Sequence, residues 1–436
     1  MGHLLRFKLG KTLQDIDCVF AEMVRDAYET SEAYRNILQE SGTSPSSISG
    51  VRDLPALPII SKETLFRHYE LRDVLRRGVS IGRCVTAGTS GSTGLPITVY
   101  MSQAEAFYRR VQLLRAWRNV ERLPFPLRIA DVGTLVKGDR PIRARRLPAT
   151  TVLRVPIGLP AQGQAEAVSR FRPGVLSGPP TALSTLSEVF RRGASRSPRL
   201  RLVATRGEVL HQETRRLIEE AFPAGRVADF YNCEEIGNIA WECPLHEGTF
   251  HINTDTCILE IVDERGDQAP AGTEGRVIVT NLYNRTMPLI RYDLRDRGVL
   301  VDEADHPCSC GSKSPSMAVV QGRDDDYLRL RSGRRVSPRL IATSVNRAFC
   351  DLSPIGAFDR HFRRFQVVQD AEDHLTIRVI PEHDREVDFQ SVIAAALKGI
   401  HLDLRFSVEI VDDLPLGPSG KFRKVVCALE PPEASS

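Results

Sequence analysis

Thr89-Ser90-Gly91-Ser92-Thr93-Gly94-Leu95-Pro96 is the stretch of this chain on which the fold turns. It follows a short apolar run at Cys84-Val85 and leads into Ile97-Thr98-Val99-Tyr100, so it joins two candidate strands. Glycine permits backbone angles that let several amide N–H groups point at one anion. Ser and Thr hydroxyls add donors that a phosphate oxygen can accept. The stretch is not a P-loop, because no Gly-Lys-Ser/Thr ends it and no clear helix start follows. Taken alone it reads equally well as a polar hairpin connection, an ordinary use of Gly and Ser in turns. The segments further along the chain decide between the two.

The 436 residues exceed what one hydrophobic core serves and point to two or three domains. Hydrophobic residues at 42% and charged residues at 26% describe an ordinary globular protein. A net charge of +4 is small for this length and gives no basis for a nucleic-acid or membrane-surface partner. The basic stretch Arg329–Arg335 reads as a solvated strand and turn. The N-terminus, Met1-Gly2-His3-Leu4-Leu5-Arg6, soon becomes amphipathic and shows no signal peptide. No apolar run approaches the roughly 20 residues of a membrane span. Nine cysteines without an export signal argue against a disulfide framework, and a cytoplasmic enzyme is the expectation.

Helical spacing of Leu13, Ile16, Val19, Phe20 and Met23 predicts a helix over 11–41, ended near Gly42. Ser61-Lys62-Glu63-Thr64 reads as a helix start, and 103–120 as a second amphipathic helix. From about 125 to 230, short apolar runs (Val152–Ile157, Gly174–Ser177, Arg201–Ala204) alternate with helical patterns at 161–171, 181–192 and 211–222. Such alternation predicts βαβ units and a mostly parallel sheet. After residue 248, His251–Asn253, Ile258–Val262 and Arg276–Thr280 read as antiparallel strands with Gly266, Gly272 and Gly275 in turns. Gly322-Arg323-Asp324-Asp325-Asp326 marks a boundary. Beyond it, strands at Phe365–Val368, Leu375–Ile380 and Ser407–Val411 surround helices at 337–350 and 387–400, the content of a small α+β domain.

Four further segments carry chemistry through their order. They are Arg206-Gly207-Glu208, Tyr231-Asn232-Cys233-Glu234-Glu235-Ile236-Gly237, Pro288–Asp296, and Gly322–Asp326 together with Leu414–Lys421. Each is weak alone, and a Gly-Lys pair near a C-terminus is usually a surface turn. Together with the Ser/Thr loop, the ordered set resembles the adenylate-forming enzymes, and most closely their phenylacetate–coenzyme A ligase branch with its capsule-biosynthesis relatives. The resemblance spans essentially the whole chain.

It implies an α/β protein with a large N-terminal ATP- and acyl-binding domain over 1–322, made of mixed sheets with flanking helices and a small antiparallel barrel-like part. A small mobile α+β lid over 323–436 would follow. It implies a reaction in which a carboxylate attacks the α-phosphate of ATP to give acyl-adenylate and pyrophosphate, followed by acyl transfer, with coenzyme A as the expected acceptor. On this resemblance Thr89, Ser90, Gly91, Ser92, Thr93 and Gly94 hold the β- and γ-phosphates, stabilising the departing pyrophosphate with preorganised donors. Glu235 binds Mg²⁺, a hard cation served by oxygen ligands. Gly207, Glu208, Tyr231 and Asn232 line the adenine. Asp296 accepts both ribose hydroxyls, Arg323 lies near the ribose, and Asp325 is the hinge. Lys421 bridges the substrate carboxylate and the α-phosphate as they meet.

Three departures from the family pattern stand out. Leu95 replaces a common Lys, removing one phosphate-neutralising charge. Asn232 and Glu234 replace Gly and Thr, so Glu234 puts an extra carboxylate beside the metal position. Tyr292-Asp293-Leu294-Arg295 replaces the usual Tyr-Arg-Thr-x. Three other functions stay open: an adenylating amide- or ester-forming ligase, an enzyme acylating a separate carrier protein, and a degenerate nucleotide-binding homologue. A homodimer is compatible with the sequence.

Cys243-Pro244-Leu245-His246 and Cys308-Ser309-Cys310-Gly311 offer thiolates and an imidazole in the number a closed tetrahedral zinc site needs. Relatives carry such cysteines beside a segment like Phe250-His251-Ile252, so His251 competes with His246 for the fourth position, with His306 behind both. Free cysteines on adjacent loops are the other reading. A four-ligand site would pin two loops and leave no open position for chemistry.

Overall fold

The computed structural model describes residues 13–88, 97–133, 144–147, 150–157, 159–193, 195–301, 308–323, 327–331, 335–336, 341, 345, 362–381, 387–399, 404–414 and 422–429. Two compact units emerge, the first built on residues up to Leu294 with Gly298–Val319, the second on Val320 onward with Arg295–Arg297. The phosphate-loop stretch Thr89–Pro96, the hinge residue Asp325 and Lys421 lie outside the described residues, as does most of the helix expected at 337–350.

Where one helix was expected over 11–41 there are two, α1 (Leu13–Thr30) and α2 (Glu32–Glu40). Ser31 divides them: its extended backbone and side chain cap the second helix at Tyr34 N–H. Helix α3 (Lys62–His68) starts where the sequence signalled, with Ser61 Oγ accepting from Thr64 N–H. After the short α4 (Leu71–Val74), α5 (Gln103–Val120) opens on a capping box between Ser102 and Glu105. Glu105 is 3% exposed. It also accepts from Arg285 N–H, Thr286 N–H and the Thr286 hydroxyl, so its charge is fully hydrogen-bonded.

A two-stranded ribbon, β1 (Val85–Gly88) with β2 (Thr98–Met101), brackets the Ser/Thr stretch. Twelve strands then form one sheet. In chain order they are β3 (Leu127–Gly133), β4 (Ala144–Leu147), β5 (Thr150–Pro156), β6 (Val175–Gly178), β7 (Leu202–Arg206), β8 (Arg226–Cys233), β9 (Gly237–Glu242), β10 (Phe250–Ile252), β11 (Cys257–Val262), β12 (Glu274–Asn281), β13 (Tyr292–Leu300) and β14 (Ser316–Arg323). The spatial order is 11-12-13-14-10-9-8-7-6-3-5-4. Strands β5, β3, β6, β7 and β8 are parallel. The β8–β9, β9–β10 and β10–β14 pairs are antiparallel. The parallel and antiparallel textures of the sequence therefore meet in one continuous sheet, joined by the β8–β9 hairpin.

Alternation along the parallel strands decides what each face packs on. Ala130, Val132, Leu153, Val155, Leu176 and Val203 face α6 (Ala161–Phe171), α7 (Pro180–Arg191) and α8 (Gln212–Ala221), forming one core. Ile129, Val175, Leu202, Ala204 and Phe230, on the other face, pack on Ala116, Trp117 and Val120 of α5. A third core joins α1, α2 and the ribbon to the antiparallel strands.

In the second unit, β15 (Leu328–Arg329) pairs with β16 (Arg335–Val336). A four-stranded sheet is built from β17 (Phe362–Ala371), β18 (His374–Pro381), β19 (Arg405–Ile410) and β20 (Val425–Cys427) in the order 19-18-17-20. Helix α9 (Phe389–Gly399) buries Ile393 and Leu397 against Phe365, Val367 and Ile377, which gives this unit its own core.

Candidate active site and metal cluster

In open α/β sheets ligands collect outside the carboxyl ends of parallel strands. Arg206 ends β7 there and Gly207 follows with φ +79°, a left-handed turn suited to glycine. Glu208, expected along the adenine, turns its carboxylate to the start of α7, accepting from Thr181 N–H at 3.1 Å and from the Thr181 hydroxyl at 2.7 Å. Those bonds satisfy an orphan amide of the helix and lock the loop that carries Gly207.

Tyr231 and Asn232 lie near the end of β8, with a register shift between them. Glu234 and Glu235 occupy the turn into β9, and Gly237 closes it with φ +96°. A Cβ at Gly237 would lie 3.0 Å from Tyr283 Oη and 3.3 Å from Arg109 Cγ, so turn geometry and close approach both call for glycine. Arg109, on α5, holds this turn. Its guanidinium donates to Glu234 O at 2.8 Å, to Glu234 Oε2 at 2.9 Å and to Cys233 O at 3.4 Å. The extra carboxylate beside the expected metal position is thus paired with a cation.

Asp296 lies in β13, directly after Arg295, whose φ of +58° is unusual for a residue with a Cβ. Asp293, another departure from the family pattern, accepts from Arg276 at 2.7 Å. For Arg323 only the backbone, at the end of β14, is described.

Arg109 was not legible in the sequence, and neither was a polar row across the strand ends. Asp131 on β3 is in register with Arg154 on β5 and with Ser177 on β6. Arg154 donates to Asp131 at 2.6 Å, and Arg206 donates to the other Asp131 oxygen at 2.5 Å and to Ser177 Oγ at 3.1 Å. The Asp131 carboxylate, with Glu234 further off, raises the pKa of the Arg206 guanidinium. A polar residue near the carboxyl end of each of these strands was the available signal.

The cysteines converge because β14 pairs with β10 and thereby brings the 308–315 turn over the β9–β10 hairpin. Ligand atoms of Cys243, His251, Cys308 and Cys310 all lie within 4.8 Å of one another. Cys243 Sγ is 3.5 Å from Cys308 Sγ, and Cys310 Sγ is 3.2 Å from His251 Nε2. Zinc with bonds of about 2.0–2.3 Å sets tetrahedral ligands roughly 3.3–3.8 Å apart, so these separations suit it. Backbone N–H groups of Leu245 and Ser312 point at Cys243 Sγ and Cys310 Sγ, each at 3.4 Å. His251 Nδ1 is 3.2 Å from Ser314 O, which orients the ring with Nε2 toward the thiols. Desolvation, reinforced by the neighbouring thiols, pushes the Cys310 thiol up to about 12. His246 lies outside the group, its Nε2 2.9 Å from Ser309 Oγ. Of the two competing histidines, the fold brings His251 to the cysteines, because His251 is fixed on β10 whereas His246 sits in the exposed hairpin loop.

No family model matches the chain. In sequence it is similar to phenylacetate–coenzyme A ligase of Thermus thermophilus, 28% identical over 326 residues, covering 73% of this chain and 72% of that protein. It is also similar to Protein CapK of Staphylococcus aureus, 23% identical over 420 residues, covering 93% and 86%. In fold it matches 2-hydroxyisobutyryl-CoA ligase in the postadenylation state in complex with R3-HIB-AMP, with a TM-score of 0.75 and 19% identity, covering 95% of this chain and 89% of that one. The chain is therefore a sequence relative of the phenylacetate–coenzyme A ligases and CapK, and has the fold of the adenylate-forming acyl–coenzyme A ligases, the branch to which its motif order pointed.

Proposed function

We propose that this protein is an AMP-forming acid–thiol ligase. It condenses a carboxylate with ATP to give acyl-adenylate and pyrophosphate, then passes the acyl group to coenzyme A in the cytoplasm. The observation that carries this reading is the ordered motif set, from Thr89–Gly94 to Lys421, on a chain similar over most of its length to phenylacetate–coenzyme A ligases.

In this reading the Thr89–Gly94 donors stabilise the leaving pyrophosphate. Gly207, Tyr231 and Asn232 border the adenine, Asp296 takes the ribose hydroxyls, and Arg323 assists. Lys421 brings the two anionic reactants together, with Asp325 as the hinge of its segment. Glu235 would hold Mg²⁺, which supplies charge neutralisation at the phosphates. Pairing of Glu234 with Arg109 supports this role, since it removes the repulsion an adjacent bare carboxylate would exert on phosphate. Glu208 acts through the loop it anchors. We assign zinc to Cys243, His251, Cys308 and Cys310 as a structural ion, on the spacing of the four ligand atoms.

ATP–pyrophosphate exchange, run without acceptor against aryl, aliphatic and amino-acid carboxylates, tests the first half-reaction. Exchange dependent on one class of acid is expected. Silence across the panel with ATP still bound would sink the reading in favour of a degenerate homologue. Lys421→Ala should abolish exchange while leaving ATP binding largely intact, and equal turnover would remove Lys421 from the mechanism. Replacing coenzyme A with carrier-protein thiols or amines identifies the acceptor.

A further inference from the structure

On the sheet face that packs against α5, the apolar residues Ile129, Val175 and Leu202 are succeeded, two positions on, by Asp131, Ser177 and Ala204, with Arg206 two further. Arg154 joins them from β5. A face that is otherwise core thus ends in a polar row, at the strand ends where α/β sheets receive ligands. Two guanidiniums share the single Asp131 carboxylate, which leaves the trio one positive charge in excess. Of the neighbouring carboxylates, Glu234 is paired with Arg109 and reaches Arg206 only from further off, and Glu208 accepts from Thr181. The row is half-sheltered, with side-chain exposures of 13% for Asp131, 25% for Arg206 and 48% for Arg154. Among the described residues Arg154 makes one polar contact, to Asp131, which leaves part of its fork of donors unused by them.

We infer that the Arg154–Asp131–Ser177–Arg206 row borders the acyl-binding site and selects a carboxylic acid carrying a second negative charge at its far end. The inference rests on the adenylating function proposed above. A sheltered excess positive charge is stabilised by an anionic partner, and the two guanidiniums together outweigh the repulsion from the one Asp131 carboxylate between them. An aryl or alkyl tail would instead strip water from two guanidiniums without replacing their hydrogen bonds. Ser177 and Asp131 accept from the Arg206 guanidinium and Asp131 also from Arg154, which holds both side chains in place.

Isothermal titration of the full chain with matched acids tests this without any chemical step. The pairs are glutarate against pentanoate and 4-carboxyphenylacetate against phenylacetate. A charge-assisted contact predicts roughly tenfold or greater preference for the dianion in at least one pair. Arg154→Met, at a half-exposed position, should remove most of that preference with the melting temperature kept, and Arg206→Met should do the same. Equal or tighter binding of the singly charged acids, no binding of either dianion, or a preference unchanged in both folded variants would overturn the inference. Pyrophosphate exchange separates the two claims. Selective dianion binding without exchange defeats the adenylating reading and leaves the row's selectivity standing. Exchange that proceeds as well with pentanoate or phenylacetate as with their dianionic partners defeats the selectivity alone.

Discussion

Replacing Arg109 by Met releases the turn that carries Glu234 and Glu235. Arg109 reaches it from α5 with two donations of 2.8 and 2.9 Å to Glu234 and a longer one of 3.4 Å to Cys233 O. A hydrogen bond from a charged donor contributes about 1.5–3 kcal/mol when sheltered. The Glu234 side chain is 47% exposed, so the ion-pair part is screened toward the few tenths of a kcal/mol typical of surface pairs. The donation to the Glu234 carbonyl, also at an exposed position, adds about 0.5–1.5 kcal/mol, and the sum is about 1–2 kcal/mol for ordering the turn. If that ordering positions Glu235 for Mg²⁺, losing about 1.4 kcal/mol of it weakens the cation's apparent affinity roughly tenfold. The assay is a Mg²⁺ titration of ATP–pyrophosphate exchange on wild type and Arg109→Met, with melting curves to show that both remain folded. A folded variant whose Mg²⁺ midpoint matches wild type would refute the link between this guanidinium and the metal position.

Metal analysis should find about one zinc per chain, as four closed ligands imply. Cys308→Ser should lower both the zinc content and the melting temperature while His246→Ala leaves both unchanged; near-zero zinc with freely titrating thiols would count against the site. Asp229 tests a pH effect. Desolvation raises its carboxyl to about 7 against a hydrogen bond from Thr205, with Glu242 adding to the rise. The folded protein then binds more protons than the unfolded chain between about pH 4 and 7, so this group's contribution to stability falls as pH rises through that window. Asp229→Asn keeps an oxygen for Thr205 and Phe230 N–H and should flatten that part of a denaturant-midpoint-against-pH curve; an unchanged slope would mean the carboxyl is already ionised in the fold.

Much of the architecture was legible because it is written in local periodicities. Helix α5 occupies the 103–120 span given by its spacing, and β5, β6 and β7 fall within one or two residues of the apolar runs read for them. The single helix expected over 11–41 failed at Ser31. A side-chain cap can end one helix and start the next without any break in apolar spacing, so periodicity alone does not register it. Local order of motifs along the chain also sufficed to point to the branch of relatives and to the cysteines as a group.

Contacts between residues distant in sequence were invisible until the strands were paired. His251 and His246 are equivalent in a string of letters, and only the pairing of β10 with β9 and β14 sets one imidazole among three thiols. Arg109 and Glu234 are 125 residues apart, and nothing local announces their bond. The same holds for Asp131, Arg154, Ser177 and Arg206: each is a polar residue near the carboxyl end of its own strand. Parallel register lines Asp131, Arg154 and Ser177 up, and the long Arg206 side chain spans the remaining strand. Residue type and order therefore determined what chemistry this chain carries, since backbone preference and burial act over a few residues. Which charges neutralise one another, and where an excess remains, was decided by strand order, because electrostatic partnership depends on distance in space.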